Sequence, residues 1–138
     1  MTTNQPGFPP PPQPTPQPGI SPETARTWAI LAHLSLILSM IVSAGLLAFA
    51  GPLILWFVYK DRDALVRNAS AGAFNFALTL TVASWVAGIL AVTVILIPVS
   101  LILWVAIGIA GIVIPILGAL AASRYEMYRY PLTLPILS

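Results

Sequence analysis

The chain has 138 residues, of which 58% are apolar and only 7% are charged, whereas about a quarter of the residues in an average soluble domain are charged. Its six basic residues are scattered rather than gathered into the basic stripe that nucleic-acid binding requires, so we expect no nucleic-acid partner. The absence of cysteine excludes a disulfide framework and a cysteine metal site.

Proline dominates the first 22 residues, nine of which are proline. Proline fixes φ and donates no amide hydrogen bond, so residues 1–22 are predicted to be a disordered tail. The alternative is a docking ligand for a proline-binding partner, because Pro9 and Pro12 have the spacing of such ligands. Ser21, Pro22 and Glu23 form a helix-start signal, so the helical membrane domain is predicted to cover residues 23–138.

Two long charge-free runs, residues 27–59 and 68–123, predict an integral membrane protein. A helix of about 20 apolar residues crosses the hydrocarbon layer. The first run can therefore hold one long span or two short ones, and the second can hold two. The sequence predicts an all-α bundle of about four membrane segments, in which the first two form a short or re-entrant hairpin. Three spans are the alternative.

Glycine and proline divide these runs into predicted segments. Ser43-Ala44-Gly45 and Gly51-Pro52 interrupt the first run, and either break could end a helix. Ile97-Pro98 divides the second run. The predicted segments cover about residues 27–43, 46–59, 70–96 and 99–123.

The basic residues indicate how the segments lie across the membrane. With four segments, all six Lys and Arg fall on one side; with three, the N-terminal tail moves to the other side. The positive-inside rule places the Lys60–Arg67 loop and the C-terminus in the cytoplasm under both arrangements, and it favours four segments, with a cytoplasmic tail. We therefore expect a multi-pass protein of the inner (plasma) membrane.

Small residues recur on one face of the last segment, at spacings of three and four residues that a helix brings into line. Small side chains let two helix backbones approach closely in a membrane. We predict a helix-packing face, with a hinge or a pore lining as the alternative. Its residues are Ser100, Trp104, Gly108, Gly111, Pro115, Gly118 and Ala122.

A second face, on the third segment, carries Gly72, Asn75 and Thr79. Asn75 is the most polar side chain there, and an amide in hydrocarbon needs hydrogen-bond partners. This predicts either a bond to another helix or the wall of a polar conduit.

No catalytic constellation can be assembled from the titratable residues. His33 has no carboxylate or thiol neighbour in the sequence, so we expect it near the membrane interface or hydrogen-bonded to another helix. We expect no enzymatic activity, no cofactor and no metal site. The acidic residues all lie at aqueous edges: Glu23, Asp61, Asp63 and Glu126.

Three patches together resemble a known family. They are Trp28-Ala-Ile-Leu-Ala-His33, the stretch from Gly51-Pro52 to Asn75-Phe76, and Glu126-Met-Tyr128-Arg129-Tyr130-Pro131-Leu132. Over about residues 24–138 the chain resembles small bacterial membrane proteins related to the twenty-kilodalton channel component of the chloroplast inner-envelope protein translocon. The resemblance implies an all-helical bundle of about four segments and a role in protein translocation or membrane assembly.

The third patch also predicts an interfacial anchor. Tyr128 and Tyr130 suit the headgroup region, Arg129 can reach lipid phosphate, and Pro131 ends any helix.

The sequence thus predicts a non-enzymatic polytopic membrane protein that acts through helix–helix contacts. Its expected partners are the lipid bilayer and either further copies of itself or other membrane proteins. The rival hypothesis is a channel or translocon-like component that transports proteins or small solutes.

Overall fold

The computed structural model describes residues 19–138, which contain helices and no strand. The helices are α1 (Pro22–Val42), α2 (Ala50–Tyr59), α3 (Ala64–Val92) and α4 (Ile97–Ser123), with a 3-10 turn at Val94–Leu96. Helices α1, α3 and α4 are long and apolar enough to cross a membrane, and α2 is shorter. The predicted all-α membrane bundle is confirmed. Most of the predicted tail, residues 1–18, lies outside the described residues.

Capping side chains determine where the helices begin. The Ser21 hydroxyl accepts a hydrogen bond from the Thr24 amide at 3.3 Å, as the helix-start signal predicts. The start of α3 differs from the predicted position near residue 70, which follows the last charge. Helix α3 begins earlier because the Asp63 carboxylate accepts bonds from the amides of Leu65 and Val66, at 2.8 and 3.0 Å.

The first two helices form a hairpin with one short arm. Helix α1 ends at Val42, and the turn that follows places Ala44 and Gly45 in the left-handed region, with φ of 50° and 85°. The ten residues of α2 span about 15 Å, half of the roughly 30 Å hydrocarbon layer. Of the two predicted breaks, the one at residues 43–45 ends the helix, whereas Gly51-Pro52 lies in the first turn of α2.

The charged connections of the chain meet at one end of the bundle. Small residues of α1 pack there against the start of α3 and the end of α4, in a buried cluster that includes Ala25, Val66 and Ala122. The rings of Trp28 and Tyr59 lie 5.0 Å apart, which joins the start of α1 to the end of α2. We call this the charged end of the bundle, because it contains the charged α2–α3 loop and the charged residues that directly follow α4.

The outside of the bundle is apolar. Large hydrophobic side chains are exposed along every helix, which is the surface expected of helices that face lipid. On α4 they include Leu101, Ile102, Val105, Ile109 and Leu120.

Candidate functional site

The residues after α4 leave the charged end and return along α3 without forming a helix. We call residues 131–138 the strap. It reaches Thr79, which lies about 22 Å along α3 from Ala64 at 1.5 Å per residue. The strap therefore runs beside the apolar part of the helix. Non-helical backbone at that depth must find its hydrogen-bond partners within the protein.

Asn75 provides most of these partners. Its Nδ2 donates to the Leu137 carbonyl at 2.8 Å, and its Oδ1 accepts from the amides of Leu137 and Ile136 at 2.8 and 3.1 Å. The side chain is buried, with 6% of its surface exposed. Asn75 thus binds the strap backbone much as a neighbouring β-strand would. The hydrogen-bond partner is therefore the returning chain and not another helix, and the same side chain lines a polar cavity.

The other residues of the predicted α3 face also contact the returning chain. The Thr79 hydroxyl donates to the Asn75 carbonyl at 2.9 Å and accepts from the Leu134 amide at 3.1 Å. A Cβ on Gly72 would lie 3.0 Å from the Tyr130 ring, so glycine permits the ring to approach the helix. The structure therefore brings Gly72, Asn75 and Thr79 together against the segment that follows α4.

Tyr130, the residue directly before the strap, is held inside the bundle. Its hydroxyl lies 2.7 Å from His33 Nδ1, and its ring stacks on Phe76 with centroids 4.9 Å apart. The phenol O–H can donate to the imidazole nitrogen at this distance.

Of the residues predicted to form an interfacial anchor, Tyr130 is buried and the others are partly or fully exposed. Tyr130 is only 8% exposed, because Phe76 offers an apolar surface for its ring and His33 a partner for its hydroxyl. Tyr128 is half-buried, and its ring meets that of Tyr130 edge-on at 5.1 Å. Arg129 and Pro131 are exposed.

Most of the predicted small-residue face of α4 packs inside the bundle. A Cβ on Gly111 would lie 2.8 Å from the Met40 sulfur, and one on Gly118 would lie 2.5 Å from His33 Nδ1. These two glycines let α4 press against α1. Buried on the same face are Ser100, Pro115 and Ala122, and the Ser100 hydroxyl donates to the Ala87 carbonyl at 2.6 Å.

The same face opens to the outside at Gly108 and Trp104. No described heavy atom outside the helix's own nearby backbone lies within 4 Å of a Cβ placed on Gly108, and Trp104 is 53% exposed. Beside them is a cavity of about 240 Å³, which we call the notch. It is lined by Met40, Ala44, Gly45, Ser84, Trp104, Ile107 and Gly108.

A polar cavity of about 460 Å³ lies beside Asn75, between α3 and the residues that follow α4. Asn68, Arg129 and Thr133 are among its lining residues. The buried Asn68 Oδ1 has no hydrogen-bond partner within residues 19–138. Over the same residues, no group of three or more His, Asp or Glu side chains comes together as a metal site would require.

Sequence reasoning finds Asn75 as a polar side chain in need of partners, but it misses the strap and the His33–Tyr130 pair. These contacts join residues 62 and 97 positions apart. The one available signal is the pair Pro131 and Pro135, which keeps the segment after α4 non-helical.

Comparison with known proteins identifies a family for most of the chain. A model of the MamF/MmsF family, described as the magnetosome magnetite crystal formation protein family, matches residues 24–137. The matched range contains nearly all of α1, the other three helices and all but the last residue of the strap. No curated protein and no solved structure matches. The comparisons show no link to the chloroplast translocon component that the sequence patches resemble.

Proposed function

The chain belongs to the magnetosome magnetite crystal formation protein family, and from that membership we propose that it is a non-enzymatic protein of the magnetosome membrane. It acts through helix–helix contacts within a membrane complex, and it serves magnetite crystal formation by organising that complex.

The open glycine on α4 is the observation that carries this proposal. Glycine in a helix interior is less stable than alanine by about 0.5–1 kcal/mol. At Gly111 and Gly118 a close internal contact accounts for the missing side chain. A Cβ on Gly108 would face open space among the described residues, and the notch lies beside it. A small residue next to a hollow on a lipid-facing helix is suited to the close approach of a second helix.

The distribution of charge supports an orientation for the protein. Lys60, Arg62 and Arg67 belong to the loop or first turn at the charged end, and Arg124 follows α4 at the same end. By the positive-inside rule this end faces the cytoplasm. The proposal therefore places the N-terminal tail, the Lys60–Arg67 loop and the end of α4 on the cytoplasmic side of a membrane that derives from the inner membrane.

Substitution of Gly108 tests the helix-contact role. Gly108→Leu fills the approach to the notch from outside and is expected to leave thermal unfolding unchanged while it abolishes co-purification of the wild-type complex from mild detergent. Gly88→Leu is the matched control, because Gly88 is also a helical glycine whose Cβ would meet no described atom within 4 Å. In a magnetosome-forming host, Gly108→Leu should also alter the size distribution of magnetite crystals.

Two results would contradict the proposal. If Gly108→Leu assembles as well as the wild type, the notch is not a contact surface. If Gly88→Leu loses assembly to the same extent, the effect is a general response to a bulkier lipid-facing helix.

A channel or translocon-like role is the second candidate, and the polar cavity beside Asn75 supports it. The close packing of Gly111 with Met40 and Leu80 counts against it, since these three residues join α4, α1 and α3 further along the bundle. Passage of ions or of a polypeptide through liposomes containing the purified protein would favour this role. Tight liposomes under conditions where the protein assembles would reject it.

A further inference from the structure

The strap is bound through its backbone. Asn75 and Thr79 pair with the amides of residues 134, 136 and 137 and with the Leu137 carbonyl. The side chains of Leu134 and Ile136 remain 47% and 60% exposed. A site of this kind selects an extended backbone and is tolerant of the side chains that the backbone carries.

A hinge connects the strap to the rest of the chain. Leu132 takes a φ of 51°, in the left-handed region that a residue with a branched side chain rarely adopts. On one side of Leu132, Tyr130 is held by His33 and Phe76. On the other side, the Ile136 amide bonds the Leu134 carbonyl at 2.9 Å in a three-residue turn around Pro135, which has no amide hydrogen that would need an acceptor. A hinge under strain therefore separates the anchored residue from the strap.

Release of the strap is unfavourable unless another segment replaces it. Without the strap, the Asn75 side chain would lose three hydrogen bonds on an otherwise apolar helix. Release of the strap therefore favours the binding of another non-helical segment in its place. The segment guaranteed to fit is the same strap from a second copy, and its arrival would relieve the strained hinge in both chains.

We propose that Asn75 and Thr79 form a binding site for an extended polypeptide, through which two copies of this chain exchange their straps. Reciprocal exchange gives a closed two-fold dimer, because each copy donates the segment that it accepts. This inference rests on the proposed assembly role and deepens it by naming a second copy as the partner.

Cross-linking between two tagged copies tests the exchange, and the absence of native cysteine makes it selective. One copy carries Asn68→Cys and the other Ser138→Cys; both residues line the polar cavity. A short bismaleimide applied to membranes should join the two tags with a several-fold excess over a control pair in which Leu101→Cys, on the lipid-facing surface, replaces Ser138→Cys. Asn75→Ala or Thr79→Val, introduced into both copies, should remove that excess.

Each outcome either supports or overturns the exchange of straps. A cross-link between tags that depends on Asn75 or Thr79 supports exchange. Co-purification of the two tags without a cross-link between them, while a separate variant that carries both cysteines in one chain cross-links internally, overturns exchange and leaves the assembly role intact. Cross-links from Asn68→Cys to an unrelated polypeptide overturn the second copy as occupant. The absence of both co-purification and cross-linking between tags overturns the exchange, and the proposed assembly of copies with it.

Discussion

Gly118 and His33 offer the sharpest test of the packing. A methyl group on Gly118 would lie 2.5, 2.7 and 3.0 Å from three atoms of the His33 ring. The ring has little freedom to move, because its Nδ1 bonds the Tyr130 hydroxyl and Tyr128 meets it edge-on at 6.1 Å. Gly118→Ala must therefore displace the imidazole and its hydrogen bond.

The magnitude follows from those two effects. Overpacking costs about 1–3 kcal/mol and a broken buried hydrogen bond about another 1–3 kcal/mol, so Gly118→Ala should lower the free energy of unfolding by about 2–6 kcal/mol. Unfolding in mixed micelles, followed by circular dichroism, measures this change. Gly108→Ala is the matched control and should stay within about 1 kcal/mol of the wild type, since its methyl group meets open space.

A double-mutant cycle identifies the cause. If the clash is with His33, Gly118→Ala should have almost no effect in a His33→Ala background. An undiminished loss in that background, or equal losses for Gly118→Ala and Gly108→Ala, would refute the reasoning.

Three further predictions concern the strap and the orientation. Asn75→Ala removes the acceptor of the Leu137 amide and one of the two acceptors of the Ile136 amide, so hydrogen exchange at Leu137 should accelerate most; unchanged protection would show that these bonds do not hold the strap. Tyr130→Phe keeps the stacked ring but loses its buried hydrogen bond and should destabilise the protein by about 1–3 kcal/mol, whereas Tyr125→Phe, on an exposed ring, should not. In isolated magnetosome vesicles, whose cytoplasmic face is outward, an impermeant maleimide should label Asp61→Cys but not Thr93→Cys, and the reverse pattern would invert the proposed topology.

The membrane bundle could be predicted from the sequence because its signals are local. Charge-free runs mark the spans, and the break at residues 43–45 is visible as a serine, an alanine and a glycine in succession. The start of α3 was harder to locate, since the end of the charged stretch does not coincide with the cap that Asp63 provides. A capping residue, not the last charge, determines where the first turn forms.

The site was less predictable because its contacts are distant in the chain. The need of Asn75 for partners follows from its position in an apolar run, but the identity of the partner depends on how the residues after α4 fold back. Likewise, the spacing of small residues on α4 predicts a packing face and does not distinguish Gly118, which meets His33, from Gly108, which faces outward. Only the arrangement of all four helices separates the two.

The bond between Asn75 and Leu137 also sets an order on biogenesis. The two residues are 62 positions apart, so the ribosome completes α3 and then α4 before it adds Leu137, the partner of Asn75. During that interval the polar side chain of Asn75 lies in the membrane without this hydrogen-bond partner. The interior of the bundle is completed by residues translated after α4, and a chain released before Leu137 would lack a hydrogen-bond partner of Asn75.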